Sequence, residues 1–126
     1  MPNSYRDLVV WQRAVDLSVS VYQLTGEFPR QEIYGITSQM RRAAVSIASN
    51  IAEGYGRSTR KEYRNFLGIA HGSALELQTQ IAIAKKLGFG KTELLEKTEN
   101  TSEEVGKMIW AIQKKLDADF GARQPY

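Results

Sequence analysis

Apolar residues recur at three- and four-residue steps along four stretches of the chain, and the other side of each stretch is polar. This spacing puts the apolar side chains on one face of an α-helix. It therefore predicts four amphipathic helices, over residues 5–25, 36–53, 59–87 and 92–118. No stretch alternates apolar and polar residues as a half-buried strand would, so the predicted fold class is all-α.

Short segments rich in glycine separate the four stretches. Phe28-Pro29 lies in the first connection, and Gly88 follows the third stretch. Gly54 is expected to end the second helix as a left-handed cap, and Thr59 with Glu62 forms a predicted capping box at the start of the third. Short connections favour antiparallel packing of successive helices.

These features predict one domain over residues 1–126, an up-and-down antiparallel four-helix bundle. The regular 4-3-4-3 rhythm of the third helix predicts left-handed, slightly inclined packing. The tail at residues 121–126 is expected to be loose.

The first helix is apolar over an arc of about 220°, roughly twice what one bundle face needs. Two neighbouring helices would use part of this arc. We expect the rest to meet identical chains, with Val10, Leu17 and Val21 as the candidate contact residues.

Trp110 projects away from the apolar stripe of the fourth helix, between Lys107 and Lys114. An exposed tryptophan indicates a surface for a partner, because large apolar groups are costly to leave in water. Partial shielding by the lysine stems is the alternative.

Composition is that of an ordinary globular protein of 126 residues, with a net charge of +3 and no cysteine. The first residues contain no apolar signal segment, and no stretch approaches the ~18 apolar residues that span a bilayer. We therefore expect a soluble, cytoplasmic protein that does not associate with membranes. The basic balance permits a nucleic-acid partner without requiring one.

No pattern in the chain is typical of catalysis or metal binding. His71 is the only histidine, and a zinc site without cysteine would depend almost entirely on carboxylates, which suit that metal poorly. The turn at Gly54 and Gly56 lacks the Lys-Ser/Thr ending of a phosphate loop. We expect no catalytic residues, no cofactor and no metal.

A group of basic residues lies on the second helix and around the start of the third. Its last four members share one helical face by their three- and four-residue spacing. Guanidinium groups next to aromatic rings can hold phosphates while the rings stack on exposed bases, as single-stranded RNA recognition requires. A solvated surface whose arginines pair with carboxylates is the alternative. The predicted nucleic-acid-binding residues are Arg41, Arg42, Arg57, Arg60, Lys61 and Arg64, with Tyr55 and Tyr63 as the aromatic partners.

A polar line follows the second helix and faces polar residues of the third if the two helices are antiparallel. Such a line is typical of a hydrogen-bond and ion-pair network that fixes the register, and a ligand groove is the alternative. The predicted network consists of Ser46, Asn50, Glu53, Ser73 and Glu76.

Three runs carry a resemblance to a known family: YRDLVVW at residues 5–11, YGITSQMRRAAVSIASNIAEG at 34–54, and EYRNFLGIA at 62–70. They resemble the bacterial four-helix-bundle family encoded in intervening sequences of 23S ribosomal RNA genes. The resemblance covers nearly all of residues 5–89, and the fourth helix matches only in pattern. Ala48 stands where the family often has proline.

The resemblance implies a four-helix subunit that assembles into a ring-like homopentamer and is not an enzyme. Related bundles include basic pentamers that associate with nucleic acid and with a reverse transcriptase. Two functions stay open. One is an oligomeric nucleic-acid-binding module, for which ribosomal RNA is one candidate ligand. The other is an oligomeric scaffold that docks a protein partner.

Overall fold

The computed structural model describes residues 4–123, with side chains up to residue 118. Four α-helices make up almost all of it, and no strand occurs among the described residues. The helices are α1 (Val9–Thr25), α2 (Ile36–Tyr55), α3 (Arg60–Leu87) and α4 (Thr92–Arg123), with short 3-10 helices at Tyr5–Asp7 and Arg30–Glu32. The predicted all-α four-helix fold is confirmed, and the left-handed sense of the packing stays a prediction.

The four helices pack in a ring in which each contacts two others: α1 meets α2 and α4, and α3 also meets α2 and α4. One apolar core runs through the centre of this arrangement. Its largest fully buried side chains come from all four helices and include Leu17, Leu24, Met40, Ile47, Leu67, Leu77, Ile81 and Ile109.

Val10, Leu17 and Val21, the predicted contact residues between chains, are buried inside this core at 2%, 0% and 0% exposure. The assignment is therefore wrong. The wide apolar arc of α1 is explained by its two neighbours within the chain, because α1 packs against α2 on one side and against α4 on the other. No part of these three side chains is left for a second copy.

The first α-helix begins later than its apolar pattern indicated. Ser4 caps a separate 3-10 turn by accepting a hydrogen bond from the Arg6 amide at 3.1 Å. Leu8 then adopts an extended backbone, with φ −75° and ψ 123°, so the α-helix starts at Val9. A serine cap with its own short turn is a stable local alternative to helix, and it interrupts the apolar periodicity.

The second helix runs to Tyr55 rather than Glu53, and Gly54 lies inside it rather than capping it. A Cβ atom added at Gly54 would lie 2.6 Å from Cβ of Phe66 on α3. Glycine is needed here because the two helices approach closely, not because the backbone turns left-handed.

The ends of α3 and α4 behave differently. Gly88 ends α3 in the left-handed region at φ 73°, and its amide donates to the carbonyls of Ala84 and Lys85. α4 continues to Arg123, so the expected loose tail is wrong for residues 121–123, and residues 124–126 lie outside the described part. A single glycine such as Gly121 costs about 1 kcal/mol, which does not stop a helix that is already propagating.

Candidate nucleic-acid interface

Four basic residues lie at the junction between α2 and α3. This group, called the basic end below, consists of Arg57, Arg60, Lys61 and Arg64. The turn is fixed by Thr59, whose hydroxyl accepts from the Glu62 amide at 3.1 Å and donates to the Glu62 carboxylate at 3.1 Å. This cap sets the direction of the first turn of α3. Arg60, Lys61 and Arg64 thereby come to lie toward the C-terminal part of α4.

A cleft of about 390 Å³ opens between the first turns of α3 and the end of α4. Arg60, Lys61 and Arg64 line it from α3, and Asp117 is the carboxylate on its wall among the residues whose side chains are described. The remaining lining residues are Asn65 and Leu116. With three cations facing one acid, the cleft has the charge of an anion site.

Two of the arginines are held by carboxylates. Arg64 Nε donates to Asp117 Oδ1 at 2.7 Å, and a second bond from the same guanidinium reaches Oδ2 at 3.3 Å. These bonds raise the pKa of Arg64 and lower that of Asp117. Arg57 pairs with Glu53 at 2.8 Å and lies over the Phe66 ring, 4.8 Å from its centroid.

Arg41 and Arg42 do not belong to the basic end. They lie near the start of α2, about 20 Å along the helix from Tyr55 at 1.5 Å per residue. Arg41 is tied to α1, because its Nε donates to Thr25 Oγ1 at 2.9 Å and its guanidinium lies 4.7 Å from the Tyr22 ring centroid. The six cations predicted as one surface are therefore split between the two ends of the bundle.

The two tyrosines are packed against each other rather than presented to a ligand. The Tyr55 and Tyr63 rings meet edge to face, with centroids 5.7 Å apart and an interplanar angle of 80°. Tyr63 is half-buried against the core, and this burial raises the pKa of its phenol, with a further contribution from Tyr55. Tyr63 thus packs the α2–α3 corner.

Three of the five predicted network residues form one hydrogen-bonded group across α2 and α3. The hydroxyls of Ser46 and Ser73 lie 3.0 Å apart, and Asn50 Nδ2 donates to the Ser46 carbonyl at 2.8 Å and hydroxyl at 3.0 Å. Glu53 does not join them, because it pairs with Arg57. Glu76 accepts from Gln80 at 3.2 Å. The group bridges two helices and is internal to the chain.

A shallow cleft of about 250 Å³ lies farther along the same α3–α4 boundary, with Trp110 on its wall. His71 and Leu75 face Trp110 from α3, and Lys107 flanks it on α4. The sequence placed Trp110 on a separate partner surface. Its position follows from the antiparallel register: since Arg64 faces Asp117, residue 71 must face residue 110.

The described residues show neither a metal-binding cluster nor a membrane-spanning helix. No group of three or more His, Asp or Glu side chains among them is arranged to hold a metal ion. Within residues 4–123, no helix is both long enough and apolar enough to cross a membrane.

Comparisons with known proteins bear on the same features. A family model described as 23S rRNA-intervening sequence protein matches residues 6–111 and so extends the resemblance into α4. The fold is similar to a crystal structure of a protein with unknown function from the S23 ribosomal protein family of Bacteroides thetaiotaomicron VPI-5482. That similarity has a TM-score of 0.77 at 24% identity and covers 84% of this chain and 96% of the other. None of the curated proteins compared with the chain matches it.

Proposed function

The chain belongs to the 23S rRNA-intervening sequence protein family, and from that premise we propose that it is a non-enzymatic, homo-oligomeric protein that binds nucleic acid. The observation that carries the proposal is the basic end together with its cleft. Three cations converge on one open site at the N-terminus of a 28-residue helix, where the backbone amides also attract anions. Ribosomal RNA is the first target to test because of the family's name.

The carboxylates at the basic end do not prevent phosphate binding. The Arg57–Glu53 and Arg64–Asp117 pairs are exposed, with the two arginines keeping 42% and 43% of the side-chain surface accessible. Exposed pairs contribute about 0–1 kcal/mol, and salt screens them further. A phosphate can therefore replace the carboxylate as the partner of a guanidinium at little cost in free energy. Two-point contacts of Arg with phosphate are among the stronger charge-assisted bonds.

The oligomer in this proposal is a homopentamer, a number taken from the resemblance to the family. Since Val10, Leu17 and Val21 are buried within the chain, these residues do not form the contact surface. The outer side of α3 is the best candidate. Ile83 and Leu87 are four residues apart, hence on one face, and are 48% and 58% exposed. A ring of five would repeat the basic end and raise the avidity for one long polyanion.

The absence of catalysis is part of the proposal. Among the described residues, the carboxylates with shifted pKa values are Glu104 and Asp117, and an arginine hydrogen bond lowers both. A general acid would need the opposite shift, toward neutrality. A cytoplasmic location fits a protein whose partner is RNA.

Paired variants test the site. Arg60→Ala with Lys61→Ala removes two cations from the basic end, and Lys85→Ala with Lys86→Ala removes two from the far end of the same helix. Filter binding to structured ribosomal RNA fragments and to single-stranded RNA should show affinity lost by about tenfold or more in the first variant only. Equal losses in both variants would mean that only net charge matters, and would remove the site assignment.

A protein-interaction scaffold is the second candidate, and the exposure of Trp110 favours it. In that case a purified partner should bind at a level unaffected by nuclease, and Trp110→Ala should abolish binding while Arg60→Ala with Lys61→Ala leaves it intact. The nucleic-acid proposal predicts instead that nuclease treatment abolishes the binding.

A further inference from the structure

The cleft at the basic end and the cleft at Trp110 both lie along the boundary between α3 and α4. The register is antiparallel throughout. Arg64 contacts Asp117, Gly68 lies against Gln113, and the side-chain Nε2 of Gln78 donates to the Ser102 carbonyl at 3.3 Å. Trp110 is seven residues before Asp117, so the two clefts are about 10 Å apart along α4. The two clefts together are called the α3–α4 groove below.

Trp110 is the exposed aromatic residue of this groove, with 52% of its surface accessible. One contact on the ring is the Lys114 ammonium, 5.0 Å from the ring centroid. The indole is thus a large flat surface in contact with solvent, next to a cation. In proteins that bind single strands, bases stack on such rings while neighbouring cations hold the backbone.

The charge of the groove indicates which class of ligand it binds. Among the residues with described side chains, its cations outnumber its carboxylates, which are Glu103 and Asp117, and the second of these pairs with Arg64. A polyanion fits this balance better than an apolar peptide does. The cations along the groove are Arg60, Lys61, Arg64, Lys107 and Lys114.

We propose that the α3–α4 groove binds a single strand of nucleic acid, with phosphates on Arg60 and Lys61 and a base stacked on Trp110. This inference rests on the proposed function. It specifies that the bound nucleic acid is single-stranded and that Trp110 is the aromatic residue that contacts it. A duplex cannot make the same contact, because the faces of its bases are already stacked on one another. Arg60 and Lys61 lie ten to eleven residues along α3 from residue 71, which faces Trp110, so the spacing is about 15 Å and corresponds to no more than about five stacked nucleotides at 3.4 Å each.

Trp110 thereby takes the role that the sequence gave to Tyr63. The Tyr63 ring is turned toward the core and toward Tyr55, whereas Trp110 faces solvent on the basic side of α4. Because the side chain is half exposed and outside the core, its replacement leaves the bundle packing in place.

Tryptophan fluorescence tests the contact directly. The chain has two tryptophans, and the other, Trp11, packs against the core and against Tyr5 with ring centroids 5.1 Å apart. In a Trp11→Phe protein the emission comes from Trp110. An oligo(U) of about twelve nucleotides is expected to quench this emission with the same midpoint as the fluorescence anisotropy of the labelled oligonucleotide. A hairpin duplex that binds should leave the emission unchanged.

Affinity gives the second readout. Trp110→Leu should weaken oligo(U) binding by about tenfold and leave duplex binding unchanged, and Trp110→Phe should restore part of the loss. Tyr34→Leu is the matched control, since Tyr34 is an aromatic residue with 95% exposure outside the groove. It should bind as the parent protein does. Circular dichroism of each variant checks that the helix content is retained.

The outcomes separate the two proposals. If labelled oligo(U) binds while the Trp110 emission does not change, or if Trp110→Leu binds as tightly as Tyr34→Leu, the groove assignment is wrong and the proposed function stands. If neither oligo(U) nor the duplex binds at low salt, the proposed function itself is overturned.

Discussion

Arg64 and Asp117 tie the first turns of α3 to the end of α4, and this pair shows how one residue can serve both structure and binding. The carboxylate stabilises the α3–α4 contact through its two bonds to the guanidinium. The same carboxylate also competes with any phosphate that approaches Arg64. Stability and affinity should therefore respond with opposite signs when Asp117 is changed.

Asp117→Asn should tighten oligonucleotide binding, roughly two- to fivefold at low salt, because Arg64 loses an exposed ionic partner. Glu104→Gln is the matched control: it makes the same change in charge at the Arg13–Glu104 pair, where the guanidinium and carboxylate are 2.9 Å apart and lie outside the groove. Anisotropy titrations of both variants decide the matter. Equal tightening by the two would attribute the effect to net charge alone.

The pH dependence of this pair has a definite sign. The hydrogen bond from Arg64 lowers the pKa of Asp117 in the folded protein. The stabilisation is therefore complete above the pKa of about 4 in the unfolded chain, and it is lost as the pH falls through the folded value. The difference in Tm between the parent and Asp117→Asn should accordingly be present at pH 7 and shrink below about pH 4. A difference that grew toward acid pH would contradict this account.

At the scale of the helices, α2 and α3 form the tightest pair, and Gly54 is the residue that permits it. Apolar periodicity gives the identity and most of the length of each helix, because burial of one face is what the pattern encodes. Periodicity does not show how close two helices come. The need for glycine at position 54 depends on Phe66, twelve residues away, and it becomes visible only when both helices are placed.

Gly54→Ala should lower the free energy of unfolding by about 1–3 kcal/mol, because the new methyl group would overlap Phe66. Gly72→Ala is the control on α3. Nothing lies within 4 Å of its added Cβ, so the better helix propensity of alanine should raise stability by roughly 0.5–1 kcal/mol. Urea unfolding of the two variants measures both values. Stabilisation by Gly54→Ala would show that the helices are not held as closely as described.

The register of α3 against α4 explains why the candidate interface was only partly predictable. Spacing along one helix correctly grouped Arg60, Lys61 and Arg64, since these residues are neighbours on a single face. The predicted group also included Arg41 and Arg42 of the second helix, although α2 carries these two residues to the other end of the bundle. The sequence prediction did not group Trp110 with these cations, because the residues next to it in the fold belong to another helix.

At the scale of the whole molecule, the chain buries Val10, Leu17 and Val21 of α1 and leaves Ile83 and Leu87 exposed near the end of α3. These two exposed residues lead to a prediction about assembly. Ile83→Glu should break the proposed pentamer into smaller species, because it puts a charge into this apolar patch. Ile33→Glu, at a residue of similar exposure between α1 and α2, should leave assembly unchanged.

Sedimentation equilibrium at micromolar concentration measures this assembly. The parent protein should have a mass of about five times 14.2 kDa. A monomeric parent would remove the oligomeric part of the proposal, and an effect of Ile33→Glu equal to that of Ile83→Glu would move the contact away from α3. Neither result bears on the groove, which is complete within one chain.

The salt dependence of single-stranded RNA binding tests the central claim most directly. If phosphates contact the basic end, the logarithm of the affinity should fall linearly with the logarithm of salt concentration, with a slope of about −0.7 for each neutralised phosphate. Arg60→Ala with Lys61→Ala should make that slope shallower by about 1.4. The absence of measurable binding at low salt, or an identical slope in the variant, would contradict the account.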